Sequence, residues 1–532
     1  MDRTRNQHAT DDRAASTKWW TLGAASIGLF MLLLDITIVN VALPDIQKQL
    51  HASLSDLQWV IDAYALSLAA LLLTAGALAD RYGRRTVFAA GIAIFTLGSL
   101  LCGVAQDPLF LSLARAGQGV GGAVMFATSF ALVAQAFHGK ERGVAFGVLG
   151  AITGVAVAVG PVLGGALTSG ISWRWIFFVN LPIAAVTIAI TLRRVAESRD
   201  PGADRPDWLG FLTFSAALGA LVYGLIESNS HAWGSTRIVG SLAAAALLLV
   251  AFVVAELRGR RPMFDLALLR NPTFVGGLAA AFAIAASLLS LITFIVLYVQ
   301  NILGYSAIGT GVRLLALTGA IFLAAGIAGR LTAKVPVRLL VGPGFVLVGI
   351  GLLLMRGISP GSGWTHLLPG MIVAGIGSAF VNVPVASIAV GVVPPSRAGM
   401  GSGINSTLRQ VGLAAGIAAL GSIFAAKVRD GVMSGLAGSP LAHSSHALAQ
   451  AIGSGRAAQA IAGAPPGARG QLAAVSTSSF VAGLNDILLV GALVAFAGAV
   501  AGLVLIRQRD FVDSTTFGGA LPDAALAPAS AR

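Results

Sequence analysis

Fourteen apolar segments, separated by short polar stretches, occupy most of the 532-residue chain. Each is long enough to cross the hydrocarbon core of a bilayer as a helix, which takes about 20 residues. The first segment is too long for the core of a signal peptide, and no small-residue cleavage site follows it, so we expect it to remain as a membrane helix. The predicted spans are 19–42, 57–79, 86–105, 109–136, 143–169, 174–192, 208–227, 237–257, 274–300, 307–329, 339–356, 365–393, 398–426 and 480–506.

The distribution of Lys and Arg along the chain predicts its orientation. If the N-terminus is cytoplasmic, the loops that follow even-numbered spans are cytoplasmic too. Of the 35 Lys and Arg residues, 24 then lie in cytoplasmic segments, 8 in outer segments or at the outer ends of spans, and 3 in helix interiors. Cytoplasmic loops of membrane proteins are enriched in these residues, so the count favours two cytoplasmic termini.

Composition excludes an ordinary soluble globule, because 56% of the residues are hydrophobic, 11% are charged and the mean hydropathy is +0.84. The net charge of +13 is explained by topology, so we infer no nucleic-acid partner. The single cysteine, Cys102, lies in an apolar run and excludes an internal disulfide and a thiolate metal cluster. We predict neither a cofactor nor a metal site.

Two charged linkers, 193–207 and 258–271, separate the seventh and eighth spans from six spans on either side. The longest connection, 427–479, is rich in Ala, Gly and Ser, and we expect an outer loop without a core of its own, apart from a short amphipathic helix near 441–452. We also expect the polar N-terminal tail to be disordered. The predicted division is a cytoplasmic tail 1–18, a six-helix bundle 19–192, linkers and two extra helices 193–273, a six-helix bundle 274–506 and a cytoplasmic tail 507–532.

The loop between the second and third spans reads Gly76-Ala-Leu-Ala-Asp80-Arg81-Tyr-Gly83-Arg84-Arg85. Its glycines would let two helices approach closely, and Asp80 could face the amides at another helix N-terminus. The pattern resembles the signature loop of the major facilitator superfamily. The resemblance implies an all-α integral membrane protein with the major facilitator fold, here two six-helix bundles and two extra central helices around a mid-membrane cavity. It assigns a gating role to Gly76, Asp80, Arg81, Gly83, Arg84 and Arg85.

Ionisable residues inside membrane spans mark candidate functional groups, because each costs free energy unless it is paired or hydrated. The groups are Asp35, Asp62, Arg115, Arg313, Arg409 and Asp486. At about 1.5 Å per residue, all but Arg409 lie in one layer about 8–10 Å below the outer surface, and Arg409 is nearer the midplane. Such a layer suits an aqueous cavity with a proton-accepting carboxylate and a cationic neighbour. The alternative is a set of structural ion pairs that brace the bundle.

Three motifs resemble those of the fourteen-helix drug:proton antiporters in this superfamily. The first span reads Leu34-Asp35-Ile-Thr37-Ile-Val-Asn40-Val-Ala-Leu-Pro44, the second begins Trp59-Val-Ile-Asp62-Ala-Tyr64, and the fourth contains Arg115-Ala-Gly-Gln118-Gly119. The resemblance implies that Asp35 is the leading proton-coupling group, with Arg115 as its partner and Asp62 as a secondary candidate. The side chains expected to line the substrate cavity are Thr37, Asn40, Tyr64, Gln118, Arg313 and Arg409, and an anchor at the membrane interface is an equal alternative for Tyr64.

The fifth span resembles the Gly-Pro motif that marks exporters within the superfamily. Its residues are Gly150, Gly154, Gly160, Pro161, Gly164 and Gly165. Small residues at this spacing allow close helix contact, so glycines that serve packing alone are the alternative interpretation.

The leading hypothesis is a proton-coupled antiporter of the bacterial cytoplasmic membrane that exports small amphipathic drugs or antibiotics by alternating access. Its partners would be the substrate, protons and the lipid bilayer, and one chain would form the path. The alternatives are export of an endogenous metabolite or lipid, uptake by symport, and a membrane protein without transport activity. An enzyme is disfavoured, because the sequence offers no nucleophile and base pair and no soluble catalytic domain.

Overall fold

The computed structural model describes residues 2–137, 139–199, 207–228, 231, 234–259, 264–332, 334–393, 398–439, 441–453 and 455–511. Regular secondary structure in these residues is helical. Fourteen of the helices are long and apolar enough to span a membrane, which confirms the predicted number and order. Their bounds are α1 Asp2–Leu50, α2 Leu54–Tyr82, α3 Arg84–Gly103, α4 Pro108–Ala136, α5 Gly139–Gly170, α6 Trp175–Arg194, α7 Trp208–Glu227, α8 Thr236–Arg258, α9 Pro272–Ile302, α10 Ala307–Thr332, α11 Arg338–Met355, α12 Leu368–Gly391, α13 Ala398–Leu436 and α14 Pro466–Leu505.

The N-terminal tail differs from the expectation of disorder, since α1 is continuous from Asp2. Residues 2–18 contain neither Gly nor Pro, so nothing in the sequence interrupts the helix that begins there. The predicted C-terminal tail lies outside the described residues from 512 onwards.

The prediction of an outer loop over 427–479 is also wrong in large part. Helix α13 continues to Leu436, and α14 already begins at Pro466. Two short helices, Ser445–Gly453 and Ala457–Gly463, lie between them, and the first coincides with much of the predicted amphipathic helix. Alanine, which dominates this segment, is the strongest helix former, and buried Ile452 and Leu472 join the main hydrophobic cluster.

Helices α1–α6, here called the first half, and α9–α14, the second half, pack side by side. Glycines set the close approaches: a Cβ on Gly98 of α3 would lie 2.7 Å from the Gln118 Cα of α4, and one on Gly351 of α11 would lie 2.5 Å from the Ala374 N of α12. Helices α7 and α8 pair with each other, and α7 packs against α2 and α13. The extra pair therefore touches both halves along one side.

The two ends of the molecule differ in their content of arginine. The arginine-rich end contains the turn at 82–84 and the chain that follows α6. The far end, on the opposite side, contains the turns at 51–53, 104–107, 171–174 and 303–306.

Candidate functional site

The predicted contact between Asp35 of α1 and Arg115 of α4 is present as a buried ion pair, with each residue 1% exposed. Gln118, one turn along α4, donates through Nε2 to Asp35 Oδ1 at 2.8 Å and accepts from Arg115 Nη1 at 2.6 Å. The same Nε2 donates to Ser99 Oγ of α3 at 2.7 Å, and Asn180 Nδ2 of α6 donates to that hydroxyl at 3.1 Å. The network links four helices, and it balances the Asp35 charge inside the first half.

Tyr64 and Gln118 were expected to line a cavity, and in this conformation that expectation is wrong. The Arg115 Cζ lies 4.1 Å from the centroid of the Tyr64 ring, and Arg115 Nε donates to Val60 O at 3.1 Å. Both predicted cavity side chains are buried, because α4 packs on α2 at Gly119, where a Cβ would meet the Tyr64 backbone at 2.5 Å. They enclose the ion pair instead.

Asp62 of α2 does not join this network. Its side chain is fully buried, and neither carboxyl oxygen has a hydrogen-bond partner. A buried carboxylate without a donor or counter-charge is strongly disfavoured, whereas a protonated carboxyl loses far less on burial. The two acids of the first half thus have opposite surroundings, one paired and one isolated.

The three ionisable groups of the second half are not brought together. Asp486 pairs with Lys427 at 3.1 Å, with both side chains more than a third exposed. Arg313 donates to Gly309 O at 2.8 Å, and its guanidinium stacks 3.5 Å above the Tyr305 ring. Arg409 is half-buried and makes no hydrogen bond or ion pair with the described residues. The depth calculated from the position along each span placed Arg313 and Asp486 in one layer, but in the structure each has its own local partner.

Thr37 and Asn40 of α1 are half-buried. The Thr37 hydroxyl donates to Leu34 O at 3.0 Å, and Asn40 Oδ1 accepts from Thr293 Oγ1 of α9 at 3.1 Å. Asn40 therefore forms part of a contact between the two halves, a role that its position in the sequence did not reveal.

The Gly-Pro motif of α5 contacts both halves. Gly160 and Gly164 face α1. A Cβ on Gly160 would overlap the Thr37 hydroxyl, and a Cβ on Gly164 would lie 2.8 Å from Ile38 O. Gly165 faces α10, where a Cβ would lie 2.6 Å from Ala307 O. The Pro161 carbonyl approaches Gly311 of α10, and Gly154 contacts Phe322 on the same helix. Gly150 has no atom within 4 Å of its Cβ position, so it serves no close contact in this conformation.

The signature loop is held by local ion pairs. Asp80 accepts from Arg84 Nε at 2.9 Å and Nη2 at 2.7 Å, and Arg84 Nη1 donates to Gln135 at 2.8 Å. The expectation that Asp80 faces another helix N-terminus is wrong here, because the neighbouring arginine occupies it. Arg81 stacks loosely on Tyr82, with 5.8 Å from its Cζ to the ring centroid.

The glycines of this loop also differ from expectation. Gly76 has open space at its Cβ position and makes no close helix contact. Gly83 adopts a φ of 110°, which side chains rarely adopt, and it ends α2 immediately before α3 begins. Its role is to turn the chain.

Glu197, in the segment after α6, is a functional candidate that sequence reasoning missed. Its carboxylate accepts from the backbone amides of Arg85 at 3.0 Å and Thr86 at 3.1 Å, from the Thr86 hydroxyl, and from the Ser198 amide at 3.0 Å. Burial alone would raise the pKa of Glu197. The four hydrogen bonds favour its charged form and together have the larger effect, so its pKa lies below the ordinary value. It caps α3, whose own N-cap residue, Gly83, has no side chain. No motif or periodicity in the linker marked this position.

Hydrogen bonds between the two halves are concentrated at the far end. Gln300 Nε2 donates to Val41 O at 2.7 Å, Gln58 Nε2 to Ile417 O at 2.9 Å, and the Ile308 amide to Ser169 Oγ at 3.1 Å. Between the two short helices, Gly455 O accepts from Gln47 Nε2 at 3.0 Å. Nearer the arginine-rich end, Thr407 Oγ1 of α13 donates to Ala69 O of α2 at 3.3 Å. Most of the hydrogen bonds between the halves therefore lie on the far side of the buried carboxyls.

Comparison with known proteins identifies relatives over most of this architecture. The Major Facilitator Superfamily sequence profile matches residues 25–417. The multidrug resistance protein Stp of Mycobacterium tuberculosis (strain CDC 1551 / Oshkosh) is 38% identical over 77% of this chain and 76% of that protein. The tetracenomycin C resistance and export protein of Streptomyces glaucescens is 33% identical over 91% of each chain.

Solved structures share the fold at low sequence identity. A crystal structure of a bacterial homologue of the human lysosomal transporter Spinster, in an inward-facing and occupied conformation, superposes with a TM-score of 0.61. The alignment covers 93% of this chain and 98% of that one at 17% identity. The predicted fold, with fourteen spans, is thereby confirmed.

Proposed function

The chain belongs to the Major Facilitator Superfamily and is a membrane transporter rather than an enzyme, and on that premise we propose that it exports small amphipathic drugs or antibiotics in exchange for protons. The names of its relatives, one a multidrug resistance protein and one a resistance and export protein, support the direction and the substrate class. The proposed location is the bacterial cytoplasmic membrane, where a single chain forms the path.

The observation that carries the proposal is Asp62, a carboxyl with no partner deep in a membrane-spanning helix. In hydrocarbon or dry protein its charged form is far less favourable than its neutral form. Asp62 therefore carries a proton in this conformation and must reach water to release it. A group of this kind can exchange protons when the protein changes shape.

The orientation proposed from Lys and Arg places the arginine-rich end in the cytoplasm. Because most hydrogen bonds between the halves lie at the far end, we infer that this conformation faces inward. Rocking of the halves about the cavity would part the far-end contacts and open the cavity outward. A proton bound outside and released inside would bias these two states, and the substrate would move the opposite way.

Asp35 holds a different position in this scheme. Its charge is neutralised by Arg115, and Gln118 bonds to both partners. A proton can replace Arg115 on Asp35 only if this network separates. We assign Asp35 a coupling role that depends on movement of α4 relative to α1, and Asp62 the proton that is bound in the inward-facing state.

Efflux of a fluorescent cationic dye and of a neutral lipophilic dye from energised vesicles tests the proposal. We expect efflux that a protonophore abolishes and that Asp62→Asn and Asp35→Asn greatly reduce. Asp486→Asn is the matched control, because that carboxylate pairs with Lys427 at a partly exposed position. Unchanged, protonophore-sensitive efflux in both Asn variants would refute the assigned carboxyls.

The same vesicles separate the alternatives. Protonophore-sensitive accumulation, in place of efflux, would indicate uptake by symport. Absence of dye movement from well-folded protein would contradict the proposed substrate class and favour an endogenous metabolite or lipid, which metabolite profiling of a deletion strain would identify.

A further inference from the structure

We propose that Asp62 lies in a proton-binding chamber whose lipid-side wall is the extra helix α7 and whose far-end lid is Gln58. The inference rests on the proposed proton coupling and goes further, because it gives the added helix pair a function and names a residue that controls access.

The direction of Asp62 follows from the contacts of its helix. Tyr64 faces α4, where it lies against Arg115 and Gly119. Gln58 faces α13, and the Trp59 ring lies 6.5 Å from that of Tyr223 on α7. At about 100° per residue, Asp62 projects between the directions of Gln58 and Trp59 and away from Tyr64. Its carboxyl therefore points to the junction of α2, α7 and α13.

Helix α7 covers this junction from the lipid. Besides the aromatic contact near its far end, Ser228 Oγ just beyond α7 donates to Ser422 Oγ of α13 at 2.8 Å. Val222 and Ile226 of α7 are buried in the same hydrophobic cluster as Ile61 of α2 and Ala414 of α13. Without α7, the face of α2 that carries Asp62 would meet hydrocarbon, where a carboxyl is costly.

Gln58 lies one turn nearer the far end than Asp62 and closes the chamber there. Its amide is buried and donates to Ile417 O of α13 at 2.9 Å. Gly421, one turn further along α13, leaves room for it, because a Cβ at that position would overlap Gln58 Nε2. The lid thus joins the two halves and must break when they separate at the far end.

Charged groups on the surrounding helices are engaged elsewhere or face away. Arg115 of α4 is bonded to Asp35, and Glu227 of α7 lies 3.3 Å from His231. On α13, Arg409 projects about 120° away from Gly403 and about 160° away from Thr407, the two residues that contact α2. Among the described residues, none supplies Asp62 with a counter-charge, so its carboxyl is neutral behind the closed lid, and an open lid would let it exchange protons with outside water.

Carbodiimides test both the wall and the lid, because they attach covalently to protonated carboxyls. The adduct on the Asp62 peptide is measured by mass spectrometry. The lipophilic dicyclohexylcarbodiimide reaches Asp62 through lipid, and a water-soluble carbodiimide reaches it through an open lid. Asp62→Asn gives the blank for both reagents. Labelling needs no transport, so its outcome is independent of the efflux test.

For the wall, Val222→Ala and Ile226→Ala should raise labelling by dicyclohexylcarbodiimide several-fold over the parent chain. Leu249→Ala on α8, an exposed position, is the matched control and should leave labelling unchanged. Equal labelling of Asp62 in the parent, the α7 variants and the control would overturn the assignment of α7.

For the lid, Gly421→Ala should displace Gln58 and raise labelling by the water-soluble reagent several-fold. Gly219→Ala on α7 is the control, since its Cβ position is open. Gln58→Ala removes the lid directly and keeps the test valid if Gly421→Ala folds poorly. A folded Gln58→Ala protein with parental labelling would overturn the role of Gln58.

Discussion

Two aspartates of the first half show how surroundings decide what one residue type does. Asp35 has a guanidinium and an amide within bonding distance, whereas both Asp62 oxygens lack partners. Sequence motifs predicted the pairing of Asp35 with Arg115. They could not predict the isolation of Asp62, because that depends on which way α2 faces and on the packing of α7 and α13, which are remote in sequence.

Stability should fall far more when the Asp35 carboxyl is replaced than when the Asp62 carboxyl is replaced. Asp35→Asn leaves Arg115 buried without a counter-ion, and we expect a loss of about 3–5 kcal/mol in the free energy of unfolding. Asp62→Asn replaces a neutral carboxyl by a neutral amide, and we expect a change of about 1 kcal/mol or less. Thermal unfolding of the purified variants in one detergent would measure both. A larger loss for Asp62→Asn would contradict the described surroundings.

At the scale of elements, α5 carries two different kinds of glycine within one motif. Gly165 lies at a backbone contact with α10, whereas Gly150 faces open space. The spacing alone predicted close helix contact for both. Only the relative position of α1, α5 and α10, which comes from tertiary packing, distinguishes them.

Replacing each glycine by alanine should separate these roles. Gly165→Ala would place a Cβ 2.6 Å from Ala307 O, so α5 and α10 must shift, and we expect a stability loss of about 1–3 kcal/mol and reduced export. Gly150→Ala meets no atom within 4 Å and replaces a poor helix former, so we expect no loss of stability and a gain of up to about 1 kcal/mol. Denaturation and dye efflux of the two variants, measured side by side, test this. Equal effects would contradict the asymmetry.

The cap that Glu197 provides for α3 has a defined pH dependence. The pKa of Glu197 is lowered from its ordinary value of 4.5. The stabilisation that the cap provides is therefore fully present above pH 4.5, and it is lost as the pH falls through the lowered pKa. Glu197→Gln should therefore cost about 1 kcal/mol near neutral pH, a typical value for losing a helix cap. Melting temperatures at neutral and acidic pH would show the difference between parent and variant shrinking towards acid. A difference that grows on acidification would contradict the cap.

At the scale of the whole molecule, the number of spans was predictable because uninterrupted apolar runs have no other stable arrangement in lipid. The extension of α13 and α14 was not, since an Ala- and Gly-rich segment suits both a loop and a helix. Which end of the molecule is closed was also beyond the sequence. It depends on contacts such as that of Gln300 with Val41, between residues far apart in the chain.

Locking the far end should stop a rocking transporter without unfolding it. In a Cys102→Ser background, which lacks other cysteines, Gln47→Cys with Asn301→Cys can be joined across the two halves by a short methanethiosulfonate crosslinker, because the parent side chains lie 3.4 Å apart. We expect crosslinking to abolish efflux and reduction to restore it. Lys427→Cys with Asp486→Cys, which joins α13 to α14 within one half, is the matched control and should permit efflux in both states. Undiminished efflux from the crosslinked first pair would refute opening at this end.

The long hairpin of α13 and α14 has a practical consequence for imaging and for antibodies. These helices contain 39 and 40 residues, so each is about 60 Å long, whereas the hydrocarbon core is about 30 Å thick. The hairpin must stand clear of the lipid headgroups, and the two short helices broaden its tip. At the far end of the protein, the hairpin thus offers an asymmetric epitope. An antibody fragment raised against it would mark the particle's orientation in electron micrographs without covering the transport path from the other side.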